Sequence, residues 1–361
     1  MIACFPTYAR QLPNTDLWKV KVAGMLAVPL PESSRWRSPA LAMLRRALEV
    51  GPEYDADPIF QARVAAFLFQ RVVGCRLRLQ VGGHELEGGP TDRLGHFEQS
   101  VDVDPSRLSS PSDSTTHWIT YQAQLDTSDQ QVRRLHSMLR ETAGREIPEH
   151  LDLPAGGGRV ECIPHAGLSV ISDIDDTVKL TNVADRRELL ANTFLRPFQA
   201  VQGMAELYHQ WQAAGTAFHY VSSSPWQLAG CLGDFFQDAG LPTGSMHLSH
   251  FRFKDMTPLG RLTSKKRSKR RAIEKILADF PGRRFVLVGD SGEKDPEIYA
   301  TVARRFPQQV VAIAIREVAS KPRAKSLTDR IEHLRNRLPA GLLTTFREAS
   351  ELAERVASVA E

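Results

Sequence analysis

A chain of 361 residues is long enough for two domains of ordinary size. Hydrophobic residues make up 42% and charged residues 24%, a globular balance that excludes wholesale disorder. The 46 Lys and Arg exceed the 42 Asp and Glu by only four, so overall charge gives no reason to expect a nucleic-acid partner. Cys4, Cys75, Cys162 and Cys231 lie far apart with no CxxC spacing, which argues against a zinc ribbon or a disulfide framework and fits a reducing cytosol. The first twenty residues have no apolar core of a signal peptide, and no apolar run approaches the roughly 20 residues that span a bilayer. The expectation is a soluble cytoplasmic protein without a transmembrane segment.

Apolar and polar residues partly alternate over 17–24, 75–81, 95–103 and 115–125, with Gly, Pro, Asp and Ser between them, as in short antiparallel strands. Residues 40–73 read as one or two helices, broken at Gly51-Pro52. Residues 1–160 are therefore expected to form a small β-sandwich or barrel with a helical insertion. The run Pro154-Ala-Gly-Gly-Gly158 reads as the connection to a second domain.

Downstream, strands at 168–174, 217–221, 285–288 and 310–315 alternate with helices at 201–215, 225–239, 269–280 and 295–306. Such alternation predicts an α/β domain over 165–320, Rossmann-like, with a parallel sheet covered by helices on both faces. Functional residues then belong at the carboxyl ends of the strands. Residues 321–361 read as a helical tail, with helices at 327–337 and 342–359 separated by Pro339.

The chemistry gathers at those strand ends. The first strand runs into Asp173-Ile-Asp175-Asp176-Thr177, and FVLV runs into Gly289-Asp290-Ser-Gly292-Glu-Lys-Asp295. Acids at the exit of an apolar strand are costly unless they meet a cation or do chemistry. In a parallel sheet the two exits share one edge, and two or three carboxylates with water suit Mg²⁺. Tyr220-Val-Ser222-Ser-Ser-Pro225 puts a hydroxyl at a further strand exit, before a helix N-terminus that favours an anion such as phosphate.

The order DxDxT, strand-terminal Ser, Lys before a helix, then GDxxxxD resembles the phosphatases of the haloacid dehalogenase superfamily. The resemblance implies Asp173 as the nucleophile and Asp175 as general acid and base. It implies Ser222 as a phosphate ligand and Lys269 as the residue that offsets negative charge, with Lys266 as the alternative. Asp173, Asp290, Asp295 and the backbone carbonyl of Asp175 would hold Mg²⁺. More narrowly, VISDIDDTVKLTNV, VQGMAELYHQW, FHYVSSSPWQL and FVLVGDSGEKDPEIY look like the catalytic domain of the actin patch protein type phosphatidate phosphatases, including their bacterial relatives. The turn Thr91-Asp-Arg-Leu-Gly95-His-Phe97 resembles the TDxxGxF turn of the small β-domain that often precedes it. The family implies hydrolysis of phosphatidate to diacylglycerol and phosphate, with a phospholipid at a membrane surface as partner. A soluble phosphate, or a lipid-binding scaffold with a vestigial site, are the alternatives.

Plainer roles compete at several positions. Ser222 suits a helix cap, though Ser223 or Ser224 could cap instead while Ser222 binds phosphate. Thr177 suits a structural hydrogen bond, and Asp176 is open between the two kinds of role. Trp226 suits a core contact as well as substrate packing. The basic run at 261–271, with Lys265 and Lys266, fits a solvated segment as well as an anionic headgroup site. His247 and His250 lack a third ligand nearby and are not read as a zinc pair.

Overall fold

The first half of the chain turns its alternating segments into one sheet. The computed structural model describes residues 2–13, 15–30, 37–104, 117–143, 156–249, 261–318 and 324–353. Two compact units result, one of Met1–Pro52 with Val64–Pro164 and one of Glu53–Arg63 with His165–Glu361. In chain order the first part runs β1 (Ile2–Cys4), β2 (Thr7–Gln11), β3 (Trp18–Pro29), α1 (Arg37–Leu48), α2 (Pro58–Ala65), β4 (Phe69–Arg71) and β5 (Arg76–Val81). It continues with β6 (His84–Pro90), β7 (His96–Val103), β8 (His117–Leu125), α3 (Gln130–Ala143) and β9 (Gly156–Ile163). The strands pair in the order β1-β3-β2-β9-β8-β5-β6, with β4 and β7 also on β3. All pairs are antiparallel except β2 with β9. Along β5, Leu77, Leu79 and Val81 point inward while the residues between them are exposed, the period of two that the sequence shows.

The glycines of 156–158 are not a linker. They open β9, which lies between β2 and β8. A Cβ at Gly156 would stand 2.7 Å from Ile2 Cγ2, and one at Gly158 would stand 2.3 Å from the Tyr121 ring. These positions admit only glycine because neighbouring groups press on the strand, so a composition typical of a loop here marks a crowded strand. Residues 154 and 155 lie outside the described residues.

The turn at Thr91–Gly95 is fixed from within. Asp92 Oδ1 accepts from the Leu94 N–H at 2.7 Å and the His96 N–H at 2.9 Å. The buried Thr91 hydroxyl donates to Val72 O at 2.8 Å and accepts from Cys75 N–H at 3.2 Å. Gly95 has φ +79°, and a Cβ there would approach Leu26 O to 2.7 Å.

The second unit adds β10 (Gly167–Ser172), β11 (Lys179–Leu180), α4 (Arg186–Phe194), β12 (Gln199–Ala200), α5 (Met204–Ala213), β13 (Ala217–Pro225) and α6 (Ala229–Asp238). Next come β14 (Ser245–Ser249), α7 (Arg261–Asp279), β15 (Arg283–Asp290), α8 (Asp295–Arg305), β16 (Val310–Arg316), α9 (Ala324–Arg335) and β17 (Leu343–Phe346). Six strands form one sheet in the order β14-β13-β10-β15-β16-β17, every pair parallel, and β11 and β12 form a separate two-stranded antiparallel sheet. From β10 the chain builds outward through β13 and β14, then returns to the other side of β10 for β15, β16 and β17. That reversal opens a crevice beyond the carboxyl ends of β10 and β15.

One expected element changes type. The stretch read as a helix from 342 contains β17, which pairs with β16 and buries Leu343 and Phe346. Four residues are too few for a visible alternation, and the free edge of β16 decides the conformation. Residues 354–361 lie outside the described residues.

Gly95→Ala should destabilise the protein by about 1–3 kcal/mol, from left-handed backbone strain and the approach to Leu26 O. A denaturant midpoint unchanged from wild type would contradict this account of the turn.

Candidate active site

Two strands deliver the central acids. β10 and β15 are neighbours, with Ser172 opposite Val288, and the Asp173 N–H donates to Val288 O at 2.8 Å. Asp173 leaves β10 as Asp290 ends β15. Asp295 lies in the first turn of α8, where Pro296 and the acids Asp295 and Glu297 suit a helix start. Carboxylate oxygens of Asp173, Asp290 and Asp295 lie within 4.8 Å of one another, all three residues buried.

The cation among them comes from α7. Lys269, Ile273, Ile276, Leu277 and Phe280 are all buried, at helical spacing, so the apolar face that anchors α7 also carries Lys269 inward. Its Nζ lies 2.6 Å from Asp173 Oδ1, 2.6 Å from Asp295 Oδ1 and 3.8 Å from Glu293 Oε2. Lys266 is exposed, and the side chain of Lys265 lies outside the described residues.

This group is short of positive charge. Burial above all pushes the Asp173 carboxyl well above the ordinary carboxylate range; the Lys269 charge opposes it, and the charges of Asp295 and Asp290 add to it. Burial and the charges of Asp295 and Glu293 push Asp290 well above it too. Burial opposes the Lys269 charge, but Asp173 and Asp295 outweigh it and raise the ammonium well above its usual range. Asp290 Oδ1 accepts from the N–H groups of Gly292 at 2.6 Å and Glu293 at 2.9 Å, while its Oδ2 is buried with no hydrogen-bond partner among the described residues. Three buried carboxylates against one lysine, with one carboxylate oxygen unpaired, fit a hard divalent cation such as Mg²⁺.

Asp175 sits in a different cage. Lys179 Nζ lies 2.7 Å from Oδ1, and the Thr181 hydroxyl donates to the same oxygen at 2.9 Å. The hydroxyls of Ser222 and Ser224 donate to Oδ2 at 3.1 and 2.7 Å. Burial would raise this carboxyl, but the Lys179 charge and these donors together hold it well below the ordinary range. Lys179 is itself buried, its Nζ 4.7 Å from the centre of the Phe198 ring. Lys179, Thr181 and Ser224 were not among the residues expected here. The run of a buried DxDD with Lys at position 179 after it is the signal that could have pointed to the first.

Asp176 organises the loop. It has φ +56°, and its carboxylate accepts from Thr181 N–H at 2.8 Å, Asn182 N–H at 2.7 Å and Val183 N–H at 2.6 Å. Arg316 donates to its carbonyl at 2.8 Å. The Thr177 hydroxyl is 3.5 Å from Asp173 Oδ2. Ser223 Oγ is 3.4 Å from Glu293 Oε2, and the Ser222 hydroxyl also accepts from the Ser224 N–H at 2.9 Å. Trp226 is half-buried and opens the short 3-10 turn Trp226–Leu228. His247 is on β14, where its Nε2 is 3.0 Å from Ser245 Oγ; His250 lies outside the described residues.

Residues 168–317 match the family described as phosphatidate phosphatase APP1, catalytic domain. Phosphatidate phosphatase APP1 of Saccharomyces cerevisiae is 36% identical over 186 residues, covering 50% of this chain and 31% of the yeast protein. An uncharacterised protein of Schizosaccharomyces pombe is 36% identical over 165 residues, 45% of this chain and 27% of its own length. The chain thus spans less than a third of either curated relative.

Asp176→Ala should cost about 3 kcal/mol or more, because three backbone N–H groups lose a charged acceptor. Urea denaturation checks it, and a loss below about 1 kcal/mol would show that the loop does not depend on this side chain.

Proposed function

We propose that this chain is a Mg²⁺-dependent phosphomonoester hydrolase of the haloacid dehalogenase type, working through an aspartyl-phosphate and acting on phosphatidate. The observation that carries the proposal is the buried group of Asp173, Asp290 and Asp295 around Lys269, in a span that matches a phosphatidate phosphatase catalytic domain. Mg²⁺, held by these three carboxylates and the backbone carbonyl of Asp175, would offset the charge of the phosphate.

The side chains divide the remaining work. Asp173 Oδ1 is engaged by Lys269, which leaves Oδ2, 3.5 Å from the Thr177 hydroxyl, to attack phosphorus. The P–O ester bond breaks, and the leaving alkoxide takes a proton from Asp175. Asp175 then takes a proton from the water that attacks the aspartyl-phosphate, releasing phosphate and restoring Asp173. When the hydroxyls of Ser222 and Ser224 turn from Asp175 to the phosphate oxygens, the carboxylate loses two donors and gains proton affinity, which suits it to carry that proton. Exposed Lys266, Arg267 and Arg271 on the helix of Lys269 support an anionic lipid surface as the place of action. No helix among the described residues is long and apolar enough to cross a membrane, in keeping with peripheral attachment from the cytoplasm.

The test is turnover of phosphatidate in mixed micelles beside a panel of soluble phosphate esters. Phosphatidate hydrolysis is expected, and Asp173→Asn should lower it by several orders of magnitude with the fold retained. Turnover confined to the soluble panel would remove the lipid assignment. Near-normal activity in Asp173→Asn would remove the covalent mechanism, and no turnover of either substrate class by the wild type would favour a vestigial site.

Mg²⁺ should also stabilise the protein in a pH-dependent way. Because Asp173 and Asp290 are raised in the metal-free fold, that fold binds more protons than the unfolded chain. Its stability from these groups is present at low pH and lost as pH rises through the raised values. A divalent ion displaces those protons, so the rise in melting temperature on adding Mg²⁺ should grow as pH rises above the ordinary carboxylate range. A Mg²⁺ effect that shrinks as pH rises would contradict the assignment.

A further inference from the structure

The turn that presents Asp290 is held from both sides. Inside, Asp290 Oδ1 accepts from the N–H groups of Gly292 and Glu293. Outside, the Ser291 N–H donates to Arg316 O at 3.0 Å and its hydroxyl accepts from Val318 N–H at 2.9 Å. The carbonyls of Ser291 and Glu293 face α9. Arg330 donates from Nη1 to Ser291 O at 3.1 Å and from Nη2 to Glu293 O at 2.7 Å. Its other face grips Glu297 in the first turn of α8, from Nε to Oε1 at 2.7 Å and from Nη2 to Oε2 at 2.6 Å. Burial would raise the Glu297 carboxyl, but its hydrogen bonds with Arg330 and the Arg330 charge outweigh that and lower it.

One guanidinium thus joins the turn after β15 to the start of α8, the two pieces that supply Asp290 and Asp295. It lies beyond the span 168–317 that the family match covers. We propose that Arg330 is a positioning residue for the divalent-metal site, acting through the Ser291–Glu293 turn and Glu297 to fix the spacing of Asp290 and Asp295. The inference rests on the Mg²⁺ reading of the site. A planar, five-donor group meets two carbonyls and a carboxylate at once, whereas the single ammonium of lysine cannot span them. Groups behind metal ligands commonly govern metal affinity by about 10–100-fold.

The test titrates Mg²⁺ against the full chain by thermal shift and calorimetry, for wild type, Arg330→Lys, Glu297→Gln and the metal-site control Asp290→Asn. Arg330→Lys should raise the half-saturating Mg²⁺ concentration about 10–100-fold. At saturating Mg²⁺ its KM for the phosphate ester should stay near wild type. A purely structural role would lower the melting temperature equally with and without Mg²⁺ and leave half-saturation unmoved, and that result overturns the proposal. If Arg330→Lys does not fold, Glu297→Gln decides: a smaller rise in the same direction supports the proposal, and an unmoved value overturns it. A wild type that shows no more Mg²⁺ response than Asp290→Asn would overturn the metal reading itself, and this inference with it.

Discussion

A buried lysine between two buried aspartates is the contact on which the second unit depends. Lys269 could not stay charged in its surroundings without Asp173 and Asp295, and those acids could not stand so close without a cation between them. The three residues come from α7, the end of β10 and the start of α8, so one ionic contact ties a helix to two loops of the sheet edge. It also sets the local charge. One ammonium leaves the group short of positive charge, the deficit that the proposed divalent ion would fill.

Topology explains why the contact forms where it does. Parallel strands place all their carboxyl ends on one edge, and the return of the chain across β10 makes β10 and β15 neighbours although more than a hundred residues separate them. The Asp175 cage draws on the end of β13, on the other side of β10, through Ser222 and Ser224. The site therefore divides into two adjoining parts with opposite electrostatics. Around Lys269 the carboxyls are pushed toward protonation, and around Lys179 the single carboxyl is held ionised. The proposed reaction, in which Asp173 attacks and Asp175 gives up a proton, would need a bound cation and a bound phosphate to reverse both states.

Much of this was legible in the sequence, for identifiable reasons. Acids that end apolar strands are conspicuous, so Asp173, Asp175, Asp290 and Asp295 stood out, whereas Lys269 was favoured over Lys266 only by its fit to the resembled pattern. Asp176 stayed ambiguous because its three partners are backbone N–H groups, which leave no trace in composition. Lys179 and Ser224 were missed because their roles depend on the short strand β11 and the end of β13 meeting at Asp175. The same limit applied to the fold. The glycines of β9 look like a linker until Ile2 and Tyr121 are seen pressing on them, and β17 has no pattern of its own apart from the edge it joins.

The helical stretch near residue 60 carries one more consequence. Arg63, from the segment 53–63 that belongs to the second unit, lies with its guanidinium 3.4 Å from the centre of the Phe198 ring and donates to Thr193 O. The same ring meets Lys179, the partner of Asp175. An excised fragment beginning at His165 would therefore leave behind a piece of its own interior. The seam visible along the polypeptide is not the seam of the folded body, and trimming at the former would bare an aromatic face one residue removed from the Asp175 carboxylate.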